Sequence, residues 1–333
     1  MMRRSPDFIC IGAAKAGTTW LYQALANSPG YWMTPMKELN YFGHPRRNPR
    51  LLGRITGGQI TERQKTEWLA YFLTGEPRDD HWYRTLFASA GRRITGDISP
   101  RYSRVGLDGI EHAKRVAPDA KIIMFLRNPA DRDLSHLVHI ATDHVFGTSK
   151  VGAVMDAIAK QLGLNGSKEE QRRNVRHRFG LKQKGVQNMD RLLKILGRQV
   201  GRPVSFDDVP EILEKRITLA DVQAARERKA FAEQRKQSKA LERWASVFGK
   251  DVRAFLYDDL IANPEELFAR ITHFLGRTAR PKEGSILGRV SNPNTYRVEG
   301  LEELRAELAQ ECAAEREALR AMFGNNLPAW GAN

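Results

Sequence analysis

The chain has 333 residues, of which 41% are hydrophobic and 28% are charged, and its 54 lysines and arginines exceed its 39 acidic residues by 15. This composition excludes a disordered polymer, a collagen and a disulfide-stabilised miniprotein, and it supplies enough apolar residues for a large core. No run approaches the about 18 consecutive apolar residues that a membrane-spanning helix requires.

The first predicted strand, residues 7–11, ends in a turn of small residues that leads into a helix. The turn and the start of the helix read Gly12-Ala13-Ala14-Lys15-Ala16-Gly17-Thr18-Thr19-Trp20. Backbone N–H groups in such a turn and the positive end of the helix dipole stabilise an anion. Gly12 and Gly17 have the spacing of the nucleotide-binding pattern G-x-x-x-x-G-K-[ST], but Thr18 replaces its lysine and Lys15 lies three residues earlier. We therefore predict an anion site. A magnesium-dependent P-loop kinase or NTPase is an alternative that the displaced lysine disfavours.

Further strand-like runs occur at residues 93–96, 121–126 and 252–257, separated by helix-like segments. The continuous apolar run at 121–126 is typical of a strand covered on both faces. This alternation predicts an α/β protein with a P-loop-like three-layer fold, in which helices flank a central parallel sheet. Near the end of the chain, we predict a helix that begins at Asn263-Pro264 and a final amphipathic helix over residues 301–322.

A cation follows the strand at 121–126. Arg127 comes directly after it, Pro129 begins the next helix, and Ser135 lies near the second turn of that helix. In open parallel sheets, ligands bind outside the carboxyl ends of the strands, where both Arg127 and the first turn emerge. Arg127 and Ser135 are therefore candidates to hold a second phosphate. An ordinary ion pair of Arg127 with Asp131 or Asp133 is the alternative.

The segment from 146 to 250 is helical in pattern and strongly basic. Residues 151–250 contain 22 lysines and arginines and 12 acidic residues, a difference of 10 out of the total of 15. We interpret residues 146–250 as a basic helical insertion within a single domain over 1–333, and we predict an internal loop at residues 197–210. Its densest cluster, residues 172–178, is either a solvated helical face or a contact for an acidic acceptor or an anionic membrane. The scarcity of aromatic residues argues against nucleic acid as a partner.

Together these elements resemble the sulfotransferases that use 3'-phosphoadenosine 5'-phosphosulfate (PAPS). Two further segments agree: residues 35–42 are similar to the motif P-x-K-E-x-x-Y-F, and residues 255–276 are similar to the ending Y-E-D-L…F-L-G. The resemblance covers about residues 7–140 and 238–276. It implies in-line transfer of a sulfuryl group from PAPS to a hydroxyl or amine of a glycan, a lipid headgroup or a small metabolite.

The resemblance also assigns roles to residues. The 5'-phosphosulfate would be held by Lys15, Ala16, Gly17, Thr18 and Thr19. Trp20 would lie against adenine, and Arg127 and Ser135 would bind the 3'-phosphate. A fixed cation at the leaving oxygen favours the transition state, which is the role expected of Lys15. We expect no metal, because the cysteines and histidines lack metal-ligand spacing.

The acceptor must lose a proton, and Glu38 of the K-E-x-x-Y-F segment is the first candidate for the base. A salt bridge with Lys37 is its alternative role, and His44 is the reserve candidate. The sequence departs from the family where a second catalytic lysine is expected, because Ile98 occupies that position. Arg101 and Lys37 are the candidates to replace this cation. The family's nucleotide-closing loop is also missing, and residues 289–297 are the candidate to take its place.

The two cysteines, Cys10 and Cys312, lie about 300 residues apart. The start of the chain is basic, but its short apolar run is interrupted by Gly12 and Lys15, unlike a signal peptide. We therefore expect a cytoplasmic protein with two buried thiols and no disulfide.

Overall fold

The computed structural model describes residues 4–43, 67–68, 70–72, 78–146, 150–179, 189–204, 208–212, 217–227, 231, 235–279 and 298–330. The chain divides into two compact units. Unit 1 comprises Met1–Asp133, Glu233–Asn292 and Ala306–Asn333, and unit 2 comprises Leu134–Ala232 and Pro293–Arg305.

The centre of unit 1 is a sheet of four parallel strands in the order β2-β1-β3-β4. The strands are β1 (Phe8–Gly12), β2 (Gly96–Ile98), β3 (Lys121–Leu126) and β4 (Val252–Leu256). Every residue of β1 is buried, and so are the last five of β3, as their continuous apolar sequences require. The predicted α/β class with a central parallel sheet flanked by helices is confirmed.

The second strand begins later than the predicted 93–96. Ile94 instead forms an isolated bridge with Tyr31, and pairing with β1 starts at Gly96 opposite Phe8. A Cβ atom at Gly96 would lie 2.4 Å from the Phe8 ring, so the glycine leaves the space that this ring fills. The contact with Phe8 explains why a poor strand former stands at the start of β2.

Helices occupy most of the remaining described chain. Those of unit 1 are α1 (Thr18–Ala26), α2 (Asp80–Thr85), α3 (Leu107–Val116), α10 (Gln237–Phe248), α11 (Tyr257–Ala262), α12 (Pro264–Phe274) and α14 (Ala313–Phe323). Those of unit 2 are α5 (Lys150–Gln161), α6 (Lys168–Arg178), α7 (Met189–Val200), α8 (Val209–Ile212) and α9 (Leu219–Ala224). Two helices continue from one unit into the other, namely α4 (Pro129–Phe146) and α13 (Leu301–Glu311).

Several predicted helix boundaries are confirmed and others are corrected. Asn263 accepts a hydrogen bond from the Glu266 N–H, and Pro264 begins α12 as predicted. The single helix predicted over 301–322 is two helices, because the helix is interrupted at Cys312, between α13 and α14. The loop predicted at 197–210 is shorter, since α7 continues to Val200 and α8 begins at Val209.

The hydrophobic core of unit 1 surrounds β1 and β3 and includes the indoles of Trp20 and Trp244. Because all four strands run in the same direction, their carboxyl ends share one edge of the sheet. The predicted anion-binding residues follow β1 and β3 at that edge. Among the described helices, none is both long and apolar enough to cross a bilayer.

Candidate active site

The turn after β1 has the backbone geometry of an anion-binding loop. Gly12, Lys15 and Gly17 have φ angles of 138°, 67° and 98°, in the left-handed region that glycine favours. Gly17 is the N-cap of α1, provides no side-chain acceptor, and precedes a first turn without acidic residues. The first N–H groups of α1 and the positive end of its dipole are therefore available to an anion.

Gly17 is also required by a close contact with α11. A Cβ atom at this position would lie 2.7 Å from Leu260 Cδ2 and 3.5 Å from Tyr257 Cδ2. The start of α11 therefore packs directly against the phosphate-loop candidate. This contact brings the Y-D-D-L segment, residues 257–260, next to the turn after β1.

Arg127, directly after β3, reaches the same turn. Its Nη1 donates a 2.8 Å hydrogen bond to the Lys15 carbonyl. Gln237 fixes the backbone of Arg127, accepting from its N–H at 3.1 Å and donating to its carbonyl at 2.9 Å. The guanidinium lies 4.5 Å above the ring of Tyr257. Burial lowers the pKa of Arg127 below its ordinary value. The two predicted phosphate sites are therefore neighbours, and the arginine is held from several sides.

A cavity of about 270 Å³ lies beside Arg127. It is lined by Arg127, Asn128, Asp131, Tyr257, Asp258, Ile261 and Ala262. The Asp258 carboxylate accepts hydrogen bonds from Trp330 Nε1 at 3.2 and 3.3 Å. Asp258 therefore lies in the first turn of α11 and has a tryptophan partner.

Lys37 connects Glu38 to the start of α1. Its Nζ donates to the hydroxyls of Thr18 and Thr19, each at 3.1 Å, and lies 3.3 Å from Glu38 Oε1. The Lys37 side chain is 12% exposed and that of Glu38 is 34% exposed. The salt bridge left open as an alternative for Glu38 is present. The same contact holds the carboxylate next to the threonines of the predicted phosphosulfate loop.

A buried carboxylate, Asp97, anchors the backbone that follows Glu38. Asp97 accepts hydrogen bonds from Ser99 Oγ at 2.6 Å, Tyr102 OH at 2.6 Å and Tyr83 OH at 3.0 Å. Ser99 Oγ in turn accepts from the Asn40 N–H at 3.1 Å, and Tyr102 OH accepts from the Tyr41 N–H at 2.8 Å. The backbone N–H groups of Asn40 and Tyr41, close to the candidate base, are thus connected to the Asp97 carboxylate through these two hydroxyls.

This anchoring coincides with unusual backbone angles. Glu38 and Asn40 have φ angles of 67° and 51°, which side-chain-bearing residues seldom adopt. The Glu38 N–H donates to the Ile98 carbonyl at 3.1 Å. Burial raises the pKa of Asp97 from 3.8 to about 6, against the opposing effect of its hydrogen bonds from Ser99 and the two tyrosines.

Trp20, which the resemblance places against adenine, is buried in the hydrophobic core of unit 1. Its indole is 1% exposed and packs edge to face against Phe125 and Phe268, with ring centroids 6.4 and 6.2 Å apart. We therefore assign Trp20 to the hydrophobic core. The apolar sequence of α1 explains this position, since the indole extends the buried face that contains Leu21 and Leu25.

The other predicted residues lie in different surroundings. Ala16 is 0% exposed and Thr18 is 4% exposed, whereas Lys15 and Thr19 are half-buried. Ser135 is a half-buried residue of α4 at the beginning of unit 2. His44 and residues 289–297 lie outside the described residues.

Comparison with known proteins identifies the family. A model described as the sulfotransferase family matches residues 6–177, which is just over half of the chain. The chain belongs to the sulfotransferase family. The matched region includes the turn after β1, the Lys37–Glu38 pair and Arg127, so the resemblance noted in the sequence is confirmed at the level of the family.

Solved structures of two other sulfotransferases match this chain. A sulfotransferase from Alicyclobacillus acidocaldarius is 21% identical, with 98% of each chain covered and a TM-score of 0.52. The sulfotransferase domain of an olefin synthase from Synechococcus PCC 7002 is 15% identical, with 98% of each chain covered and a TM-score of 0.47. The first likeness shows a shared fold. A search of curated proteins gave no match.

Some residues of this sulfotransferase site were not predicted from the sequence. Gln237 lies 110 positions from Arg127, and its contact with the arginine backbone leaves no local pattern. Tyr257 belongs to the segment 255–276 that resembles the family's ending, but the motif alone gives this residue no role. Asp97 directly follows the predicted strand at 93–96, and this position was the one signal that the sequence offered for it. Among the described residues, no group of three or more His, Cys, Asp and Glu side chains has a geometry suited to a metal ion.

Proposed function

We propose that this sulfotransferase transfers the sulfuryl group of PAPS to a hydroxyl or amine of its acceptor. The observation that supports this most directly is the hydrogen bond from Arg127 to the Lys15 carbonyl. It makes the turn after β1 and the cation after β3 neighbours, as binding of one doubly phosphorylated nucleotide requires. The absence of acidic residues from the first turn of α1 suits the same anion.

The donor would be held by residues of both elements. In this proposal Lys15, Ala16, Gly17, Thr18 and Thr19 bind the 5'-phosphosulfate, while Arg127 and Ser135 bind the 3'-phosphate. Backbone N–H groups, threonine hydroxyls and a guanidinium are donors suited to phosphate and sulfate oxygens. When bound, PAPS supplies an activated sulfuryl group whose leaving group is a phosphate oxygen.

Lys15 and Glu38 would perform the chemical step. The ammonium of Lys15 stabilises negative charge on the leaving oxygen, and the effect is larger in the transition state than in the ground state. Glu38 removes the proton of the acceptor hydroxyl or amine. The carboxylate suits this role because it is partly exposed and is held beside Thr18 and Thr19 through Lys37.

The acceptor and its surroundings are also part of the proposal. A small-molecule, lipid or glycan acceptor is consistent with the family, and no nucleic acid is expected. Arg173 and Arg178 on α6 are exposed, which supports contact of the basic segment with an acidic acceptor or an anionic membrane. Cys10 and Cys312 are free and buried thiols, which agrees with the proposed cytoplasmic location.

Isothermal titration calorimetry with adenosine 3',5'-bisphosphate (PAP) in the presence of a chelator tests the proposal. We expect binding without metal, and we expect it to weaken strongly in Lys15→Ala and Arg127→Ala. Binding of ATP that requires magnesium, with no binding of PAP, would instead support a kinase or NTPase. Binding only to polyanions with a steep salt dependence would support a non-enzymatic role of the basic surface.

A further inference from the structure

Ile98 occupies the position at which the resemblance to PAPS-dependent sulfotransferases implies a second catalytic lysine. This side chain is 2% exposed at the carboxyl end of β2 and carries no charge. If the proposed reaction uses a second cation, another residue must provide it. Of the two candidates named from the sequence, Arg101 lies in the short 3-10 turn Pro100–Arg104, and Lys37 contacts the start of α1 directly.

The hydrogen bonds of Lys37 orient the two threonine hydroxyls. A lysine ammonium has donors and no acceptor, so Thr18 and Thr19 must accept from it through their oxygens. Each hydroxyl hydrogen then remains available to a second partner. Lys37 thereby leaves both threonine hydroxyls free to donate hydrogen bonds at the start of α1, where the proposed phosphosulfate binds.

The electrostatics of this arrangement favour an anion. A cation beside the positive end of a helix dipole is unfavourable unless negative charge lies nearby. Glu38, 3.3 Å from Lys37 Nζ, supplies one negative group, and it is partly exposed to solvent. The first turn of α1 supplies none. An anionic ligand bound at Thr18 and Thr19 would supply further negative charge next to Lys37 and the positive end of the α1 dipole.

We propose that Lys37 is a further catalytic residue that contacts the transferring sulfuryl group. This inference rests on the proposed function. In the reaction, the acceptor atom forms a bond to sulfur and its proton passes to Glu38. The electron pair of the broken S–O bond remains on the 5'-phosphate oxygen of PAP. Lys37 reduces the repulsion between the Glu38 carboxylate and the sulfuryl oxygens, so that base and donor can approach the same acceptor atom.

The test compares affinities for PAPS and PAP, which differ by the sulfuryl group alone. Lys37→Met keeps most of the side-chain length and removes the charge. We expect this variant to bind PAPS about 10-fold more weakly, since loss of a charged hydrogen bond costs about 1.5 kcal/mol or more, and to bind PAP within about threefold of wild type. Lys37→Arg should retain most of the preference for PAPS. Lys114→Met is the matched control, because Lys114 lies on α3 and belongs to no predicted site.

The outcomes separate the inference from the proposed function. An unchanged ratio of PAPS to PAP affinity in Lys37→Met would overturn the role of Lys37. If both affinities weaken equally, the lysine serves only phosphate binding or folding, and if neither weakens, it does not contact the ligand. Lys37→Gln provides a second neutral variant if Lys37→Met does not fold. Failure of the wild-type protein to bind PAP at all would instead refute the proposed function.

Discussion

The pH dependence of the free energy of unfolding tests the surroundings of Asp97, which lies in β2 of unit 1. Its carboxyl is buried, and burial raises its pKa from 3.8 to about 6. A difference of about two pKa units between folded and unfolded states corresponds to about 3 kcal/mol. Between these two pKa values the folded protein binds more protons than the unfolded chain. The contribution of Asp97 is therefore favourable at low pH and is lost as the pH rises through about 6.

The perturbation is Asp97→Asn, which removes this titration and keeps the size of the side chain. Urea unfolding of both proteins, followed by tryptophan fluorescence, gives the free energy of unfolding at pH 4.5 and pH 7.5. Because other carboxyl groups titrate in both proteins, their effects cancel in the comparison. Over this interval we expect wild type to lose about 2 kcal/mol relative to Asp97→Asn. Parallel pH profiles, or a relative gain by wild type, would refute the raised pKa of Asp97 and burial as its cause.

Three other substitutions test the candidate site. Glu38→Gln should lower turnover, measured by release of PAP, by about 100-fold, because it removes the general base. The affinity for PAP should stay nearly intact. An unchanged rate would remove Glu38 from the mechanism. Arg127→Ala should weaken PAP binding by about 100-fold in calorimetry, since it removes a charged, preorganised donor. Arg127→Lys should restore only part of the affinity. Wild-type affinity in Arg127→Ala would contradict the proposed role of Arg127 in binding the 3'-phosphate. Gly17→Ala should destabilise the protein by about 2–3 kcal/mol in urea unfolding, because it combines a left-handed backbone with the close contact to Leu260. Gly276→Ala is its control, since Gly276 has a φ angle of 83° but no atom within 4 Å of its Cβ position, and an equal loss of stability in both variants would exclude the contact with Leu260 as a cause.

Local sequence patterns were sufficient for the parts of the fold that depend on local chemistry. The apolar runs of β1 and β3 identified the buried parallel strands, and Asn263-Pro264 identified the start of α12. The end of β3 at Leu126 and the helix start at Pro129 placed Arg127 correctly. These features depend on side chains close together in the chain, so their pattern is visible without knowledge of the tertiary structure.

The remaining features depend on contacts between distant segments. The indole of Trp20 is buried because Phe125 and Phe268 pack against it, and neither neighbour is close in sequence. Likewise, Lys37 contacts Thr18 and Thr19 because the chain that follows α1 returns to the start of this helix. No periodicity in the sequence encodes these distances. The sequence could therefore name Lys37 as a candidate cation but could not choose it over Arg101.

The most direct test of the central claim is a crystal structure of the protein with PAP. We expect one nucleotide to bridge the two elements, with its 5'-phosphate at the turn containing Lys15 and its 3'-phosphate within hydrogen-bond distance of Arg127. A nucleotide bound with its 3'-phosphate away from Arg127, or bound outside the turn after β1, would contradict the account.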